Sequence, residues 1–117
     1  MLILHKATRR DSSGVSEYSF VGQILDLAHI YRWRIVHFTP ARVGQDGAWR
    51  TPYAGDKGFP DLILVRDGRL IIAECKSKRG RLRPDQIVWL EALSSVAGIE
   101  VYTWREGEIE SIKEVLR

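Results

Sequence analysis

Apolar residues fall into blocks of two different periods along this chain. Over residues 17 to about 32, Phe20, Ile24, Leu27, Ala28 and Tyr31 recur at helical spacing, with Val21 and Leu25 widening the stripe. Ser16 is placed to cap this helix, which puts Glu17 in its first turn. Residues 35–39 read as a strand that Pro40 stops. Two apolar runs, 62–65 and 70–73, then flank Asp67-Gly68, a pair that marks a two-residue type I′ hairpin. Pro84 suits the first position of a second helix, whose buried side would be Ile87, Leu90, Ala92, Leu93 and Val96 or Ala97, up to a stop at Gly98. Residues 100–104 read as a short strand, and Ile109, Ile112, Val115 and Leu116 as a small terminal helix. Helix, three strands, helix, strand, helix is an α/β order with a mixed central sheet flanked by helices.

The hairpin turn fixes which residues face each other. Arg66 lies opposite Arg69, Val65 opposite Leu70, Leu64 opposite Ile71, Ile63 opposite Ile72 and Leu62 opposite Ala73, which sets Asp61 against Glu74. Directly opposed like charges destabilise a ladder, so something must offset this pair. Side chains alternate along a strand, so Lys76 returns to the face of Glu74 while Cys75 points away and leaves its backbone carbonyl beside the carboxylates. Carboxylate and carbonyl oxygens suit Mg²⁺. With a lysine alongside, they predict a phosphodiester-cleaving centre. Both runs are almost continuously apolar, as in central strands covered on both faces. Charges at their ends therefore need a ligand, a partner or solvent.

Composition narrows the context. A chain of 117 residues, 44% hydrophobic, fits one compact domain. Residues 1–15 have no sustained apolar period and read as an N-terminal arm, leaving 16–117 as a single domain. The net charge of +3 says little, but five acidic residues fall in the last eighteen, so the first 99 carry a surplus of five positive charges. One cysteine excludes an internal disulfide and a CxxC zinc site, which fits a reducing compartment. No apolar run approaches a membrane span of roughly 18 residues. The expectation is a soluble, cytoplasmic protein without a membrane partner. Residues 40–59, rich in glycine, show neither period and read as a long functional loop. Within it or at its end stand Arg42, Trp49, Arg50, Tyr53 and Lys57; Trp49 and Tyr53 could stack on bases or pack the loop down. The run 76–83 carries Lys76, Lys78, Arg79, Arg81 and Arg83 with no acid, and can track a phosphate backbone. His5, His29 and His37 have no metal-ligand spacing, and Trp33, Trp89 and Trp104 read as packing residues.

Pro60-Asp61 and Glu74-Cys75-Lys76 about that hairpin resemble the signature of PD-(D/E)XK nucleases. Ser16-Glu17, Gly58-Phe59-Pro60-Asp61, Leu82-Arg83-Pro84-Asp85-Gln86 and Val101-Tyr102-Thr103-Trp104 extend the resemblance to a stand-alone VRR-NUC domain of phage and bacterial type, over roughly residues 16–116. The resemblance implies a restriction-endonuclease-like core and a Mg²⁺- or Mn²⁺-dependent DNA endonuclease. Asp61, Glu74 and the Cys75 carbonyl would hold the metal, Lys76 would orient the attacking water or stabilise charge on the phosphate, and Glu17 would complete the metal shell. Gln86 would approach the metal or a phosphate, or cap its helix. Lys57, Lys78, Arg79, Arg81, Arg83, Arg42 and Arg50 are the expected DNA contacts. The resemblance further implies junction-resolving activity as a homodimer in a bacterium or phage-infected cell. Two other classes remain beside it: a DNA-binding or assembly module of the same fold without turnover, and a nuclease subunit that needs a partner chain.

Overall fold

A computed structural model describes residues 17–38, 41–43, 48–50 and 54–117, without the side chains of residues 17, 18, 41–43 and 48–50. Helix α1 (Glu17–Ile30) is followed by strand β1 (Arg34–His37), the short strands β2 (Ala41–Val43) and β3 (Ala48–Arg50), and the hairpin strands β4 (Leu62–Arg66) and β5 (Arg69–Lys76). Helix α2 (Pro84–Ser94), strand β6 (Ile99–Arg105) and helix α3 (Ile109–Leu116) complete the chain. Four strands form a mixed sheet in the order β1-β4-β5-β6. Its first two pairings are antiparallel, and β5–β6 is parallel with α2 as the crossover.

The hairpin has the register its turn dictates, from Arg66 opposite Arg69 to Leu62 opposite Ala73. Asp67 and Gly68 both take positive φ, 50° and 81°, which is what a type I′ turn requires of its two central residues. The hairpin strands are the two central strands of the sheet. Along β5 every residue from Ile71 to Cys75 is buried, so both faces are covered there.

Each face is covered by different elements. Leu62, Leu64, Ile71, Ala73, Cys75 and Trp104 join Phe20, Val21, Ile24 and Ala28 of α1 and Ile112 and Leu116 of α3 in one hydrophobic core. Full burial of each such aliphatic side chain is worth roughly 1.5–3 kcal/mol, so this is where most of the fold's stability resides. Alternation sends Asp61, Ile63, Ile72, Glu74 and Lys76 to the opposite face, which α2 covers on the β6 side.

Three expectations change. Residues 40–59 do not form one structureless loop: β2 and β3 pair antiparallel, with Arg42 opposite Trp49. Strands of three residues are too short to display a period. Helix α2 buries only part of the side assigned to it: Leu90 and Leu93 are half-buried, but Ile87 is 40% exposed, Ala92 is exposed and Val96 lies beyond the helix end, while Gln86 is the helix's buried residue. Polar and apolar residues are mixed around the helix, which rests over the β6 side of the sheet, so spacing alone does not mark the side that faces inward. It also stops at Ser94, short of Gly98. The proposed arm, the Ser16 cap, Pro40 and Tyr53 lie outside the described residues.

Candidate active site

The open end of the hairpin gathers four of the predicted side chains. Asp61 stands one residue before β4, and its Oδ2 accepts a hydrogen bond from the Cys75 backbone N–H at 2.9 Å, which locks the carboxylate across the end of β5. Glu74 is 3% exposed. Its Oε2 accepts a hydrogen bond from Gln86 Nε2 at 2.9 Å and lies 3.4 Å from Lys76 Nζ, whose side chain is 13% exposed. Glu74 Oε1 is buried and has no hydrogen-bond partner among the described residues.

That arrangement is electrostatically costly. Burial pushes the Glu74 carboxyl up to about 7 from an ordinary 4.5, the Asp61 charge pushes the same way, and Lys76 opposes both. A carboxylate with one oxygen pinned and the other bare, next to a second carboxylate, is a place where a cation would lower the energy. The residues therefore fit an oxygen-preferring divalent ion: Asp61, Glu74 Oε1 and, on the adjoining residue, the Cys75 carbonyl. Among the described residues no cluster of three or more His, Cys, Asp or Glu side chains offers a fuller metal cage, so the remaining positions would fall to water and substrate.

Gln86 reaches this site because α2 starts close to it. Pro84 occupies the first turn, Gln86 Oε1 accepts a hydrogen bond from the Arg83 N–H at 2.9 Å, and the other end of the same amide holds Glu74. One side chain thus caps its helix and holds Glu74. Gly58 permits the approach: with φ +99°, a Cβ there would meet the Asp85 carbonyl oxygen at 2.6 Å and the Gln86 nitrogen at 3.0 Å. The segment leading into Asp61 and the first turn of α2 can lie together only over a glycine.

Sheet register extends the site sideways. The β1–β4 pairing that sets His37 against Leu62 places Phe38 against Asp61, and the Phe38 N–H donates to the Asp61 carbonyl at 2.9 Å. On the other side Glu74 pairs with Thr103 and Lys76 with Arg105. A row Phe38–Asp61–Glu74–Thr103 therefore crosses one face of the sheet. His37 lies half-buried near Asp61; burial lowers its pKa, and the Asp61 charge acts the other way.

The predicted cations sit at the same end. Lys57, Lys78, Arg79, Arg81 and Arg83 are exposed, and Arg83 is 3.2 Å from Asp85. The turn carrying Lys78 and Arg79 is tied to β6 by Arg105, whose Nη1 donates to the Ser77 and Gly80 carbonyls at 3.2 and 2.6 Å. Arg105 and Phe38 do not stand out in the sequence, and Gly58 does so only as part of the Gly58-Phe59-Pro60-Asp61 motif. The Arg105 contact depends on the parallel β5–β6 register, and the place of Phe38 on the β1–β4 register across a long connection; neither follows from a local turn. The side chains of Glu17, Arg42, Trp49 and Arg50 lie outside the described residues.

No helix among the described residues is long and apolar enough to cross a membrane. No curated protein matches the chain. A family model, the VRR-NUC domain, matches residues 45–105, a stretch that holds β3 to β6 with Asp61, Glu74, Lys76 and Gln86. The chain belongs to the VRR-NUC domain family, a family of nuclease type.

Proposed function

We propose that this chain is a metal-dependent DNA endonuclease that hydrolyses phosphodiester bonds at the open end of the β4–β5 hairpin. The observation that carries this reading is the bare, buried Glu74 Oε1 beside Asp61, with Lys76 and Gln86 on the other Glu74 oxygen. Mg²⁺ or Mn²⁺ suits such an oxygen donor set. A divalent ion held there supplies Lewis-acid polarisation of the scissile phosphate and lowers the pKa of bound water.

The chain's own residues do the rest. Asp61 and Glu74 would hold the ion, and Gln86 pins Glu74 Oε2, leaving Oε1 as the oxygen available to it. Lys76, largely withdrawn from solvent, places a positive charge where charge accumulates on the phosphate oxygens and holds the attacking water. Lys57, Lys78, Arg79, Arg81 and Arg83 engage flanking phosphates, a contact that weakens as salt rises. Water is the nucleophile throughout, and no covalent enzyme intermediate forms.

The substrate we infer is branched DNA of the four-way-junction type. Symmetric cuts on two strands need two such sites, and a two-fold homodimer supplies them. The test is cleavage of labelled junction, flap, single-stranded and linear duplex DNA by the purified protein. Cutting should require Mg²⁺ or Mn²⁺, favour the junction, and fall roughly a thousandfold in Asp61→Ala and Lys76→Ala. Absence of metal-dependent cutting by the unmodified protein, or cutting that survives both substitutions, overturns the reading.

A further inference from the structure

We infer that Phe38 is a stacking platform for an unpaired nucleobase next to the scissile phosphate. This inference rests on the nuclease reading above and names the residue by which the site would sense distorted DNA.

Phe38 lies directly across from Asp61 on the catalytic face, so its Cβ is about 5 Å from that of Asp61, within one nucleotide's reach of a phosphate held between the carboxylates. It is 37% exposed, so part of the ring is open to contact. The ring is nevertheless fixed in place. Its backbone N–H is bonded to the Asp61 carbonyl at 2.9 Å, and its ring meets Phe59 edge-to-face with centroids 5.9 Å apart. Phe59 in turn meets Trp89 of α2 edge-to-face at 4.9 Å, and the Trp89 indole N–H donates to the Asp56 carbonyl at 3.2 Å.

The three rings divide the work. Phe59 and Trp89 are half-buried and lock the segment before Asp61 onto α2. Phe38 ends the row just past the end of β1, its ring against Phe59 and more than a third of its surface exposed. A base paired inside a duplex is stacked on its neighbours and offers no free face. An unpaired or splayed base at a branch point does, and any base suffices because each has a π-face. Because the aromatic surface is already ordered, little entropy is lost on contact. Selection for unpaired nucleotides beside the cut would follow without base-specific hydrogen bonds.

The test uses the full chain, with Ca²⁺ in place of Mg²⁺ for binding and Mg²⁺ for turnover. Probes are linear duplex, gapped duplex and four-way junction, each with 2-aminopurine at the nucleotide beside the cut. Phe38→Leu keeps an apolar side chain and removes the ring; Phe38→Trp restores one. Expected are about tenfold weaker binding of gapped and junction DNA by Phe38→Leu, with a matching rise in KM and kcat within twofold. Duplex binding and the melting temperature should stay unchanged, and Phe38→Trp should recover affinity. The 2-aminopurine fluorescence should be quenched by the wild-type protein and by Phe38→Trp, and not by Phe38→Leu. Equal quenching and equal affinity in the leucine variant overturn the inference, and so does a change of oligomeric state, which would make this ring a protein contact. Binding requires no turnover. A wild-type protein that gripped unpaired DNA through Phe38 yet cut nothing would defeat the nuclease reading and leave this inference standing.

Discussion

The two ends of the β4–β5 hairpin carry charge in opposite ways. At the turn end Arg66 donates from Nη1 to the Tyr31 and Leu116 carbonyls, both at 2.9 Å, and Arg69 forms a two-point contact with Glu100 at 2.7 and 2.8 Å. Both guanidinium groups lie over the Trp33 ring, at 4.6 and 5.0 Å from its centre, and the Trp33 N–H donates to the Leu116 carbonyl at 2.9 Å. Like charges opposed across the ladder are there absorbed by carbonyls, a carboxylate and an aromatic face. At the open end two opposed acids are pressed together with an oxygen left bare. At the turn end the protein's own groups meet all of this charge except Arg66 Nε, which has no hydrogen bond among the described residues and lies 3.6 Å from Asp67 Oδ2. At the open end a buried carboxylate oxygen is left for the divalent ion proposed above.

Substitutions at each end should therefore separate stability from activity. The largest stability effect is expected at the turn end, where Trp33→Ala should cost roughly 3–5 kcal/mol in chemical denaturation through lost packing. The milder Trp33→Phe should cost about 1 kcal/mol, the worth of its hydrogen bond, and leave cleavage intact below the melting temperature. Loss of cutting in the folded Trp33→Phe protein would contradict the division.

At the open end the sign reverses. Glu74 in the folded protein titrates near 7 against 4.5 for an ordinary glutamate. Its raised pKa means that the fold binds its proton more tightly than the unfolded chain does. That contribution to stability is full below about pH 4.5 and is lost as pH rises through 7. Glu74→Gln cannot ionise, so in EDTA it should equal the wild type near pH 4.5 and exceed it by roughly 2–3 kcal/mol at pH 8, while abolishing cleavage. Denaturation curves that stay parallel across that range would show that the buried acid carries no such cost.

Much of this contrast was legible in the sequence because it is local. Asp67-Gly68 admits one turn geometry, and the turn alone sets Asp61 beside Glu74 and Lys76 on their face. The strong period of α3 and the weaker one of α1 likewise marked the residues that enter the core, such as Ile112 and Leu116 on the one and Ile24 on the other. What escaped notice depends on non-local register or on weak patterns. Trp33 between Arg66 and Arg69 joins residues more than thirty positions apart, and Phe38 meets Asp61 only through the β1–β4 pairing. Helix α2, with polar and apolar residues mixed around it, concealed that its inward residue is the polar Gln86. Strands β2 and β3 were too short to register as strands at all.

The central claim, that the open end of the hairpin is completed by a divalent ion, is tested most directly by calorimetric titration of Mn²⁺ into the metal-free protein at pH 8. The wild type should give a saturable binding heat that Asp61→Asn removes while the variant remains folded and melts no lower than the wild type. An undiminished heat in Asp61→Asn, or no binding by the wild type, would contradict it.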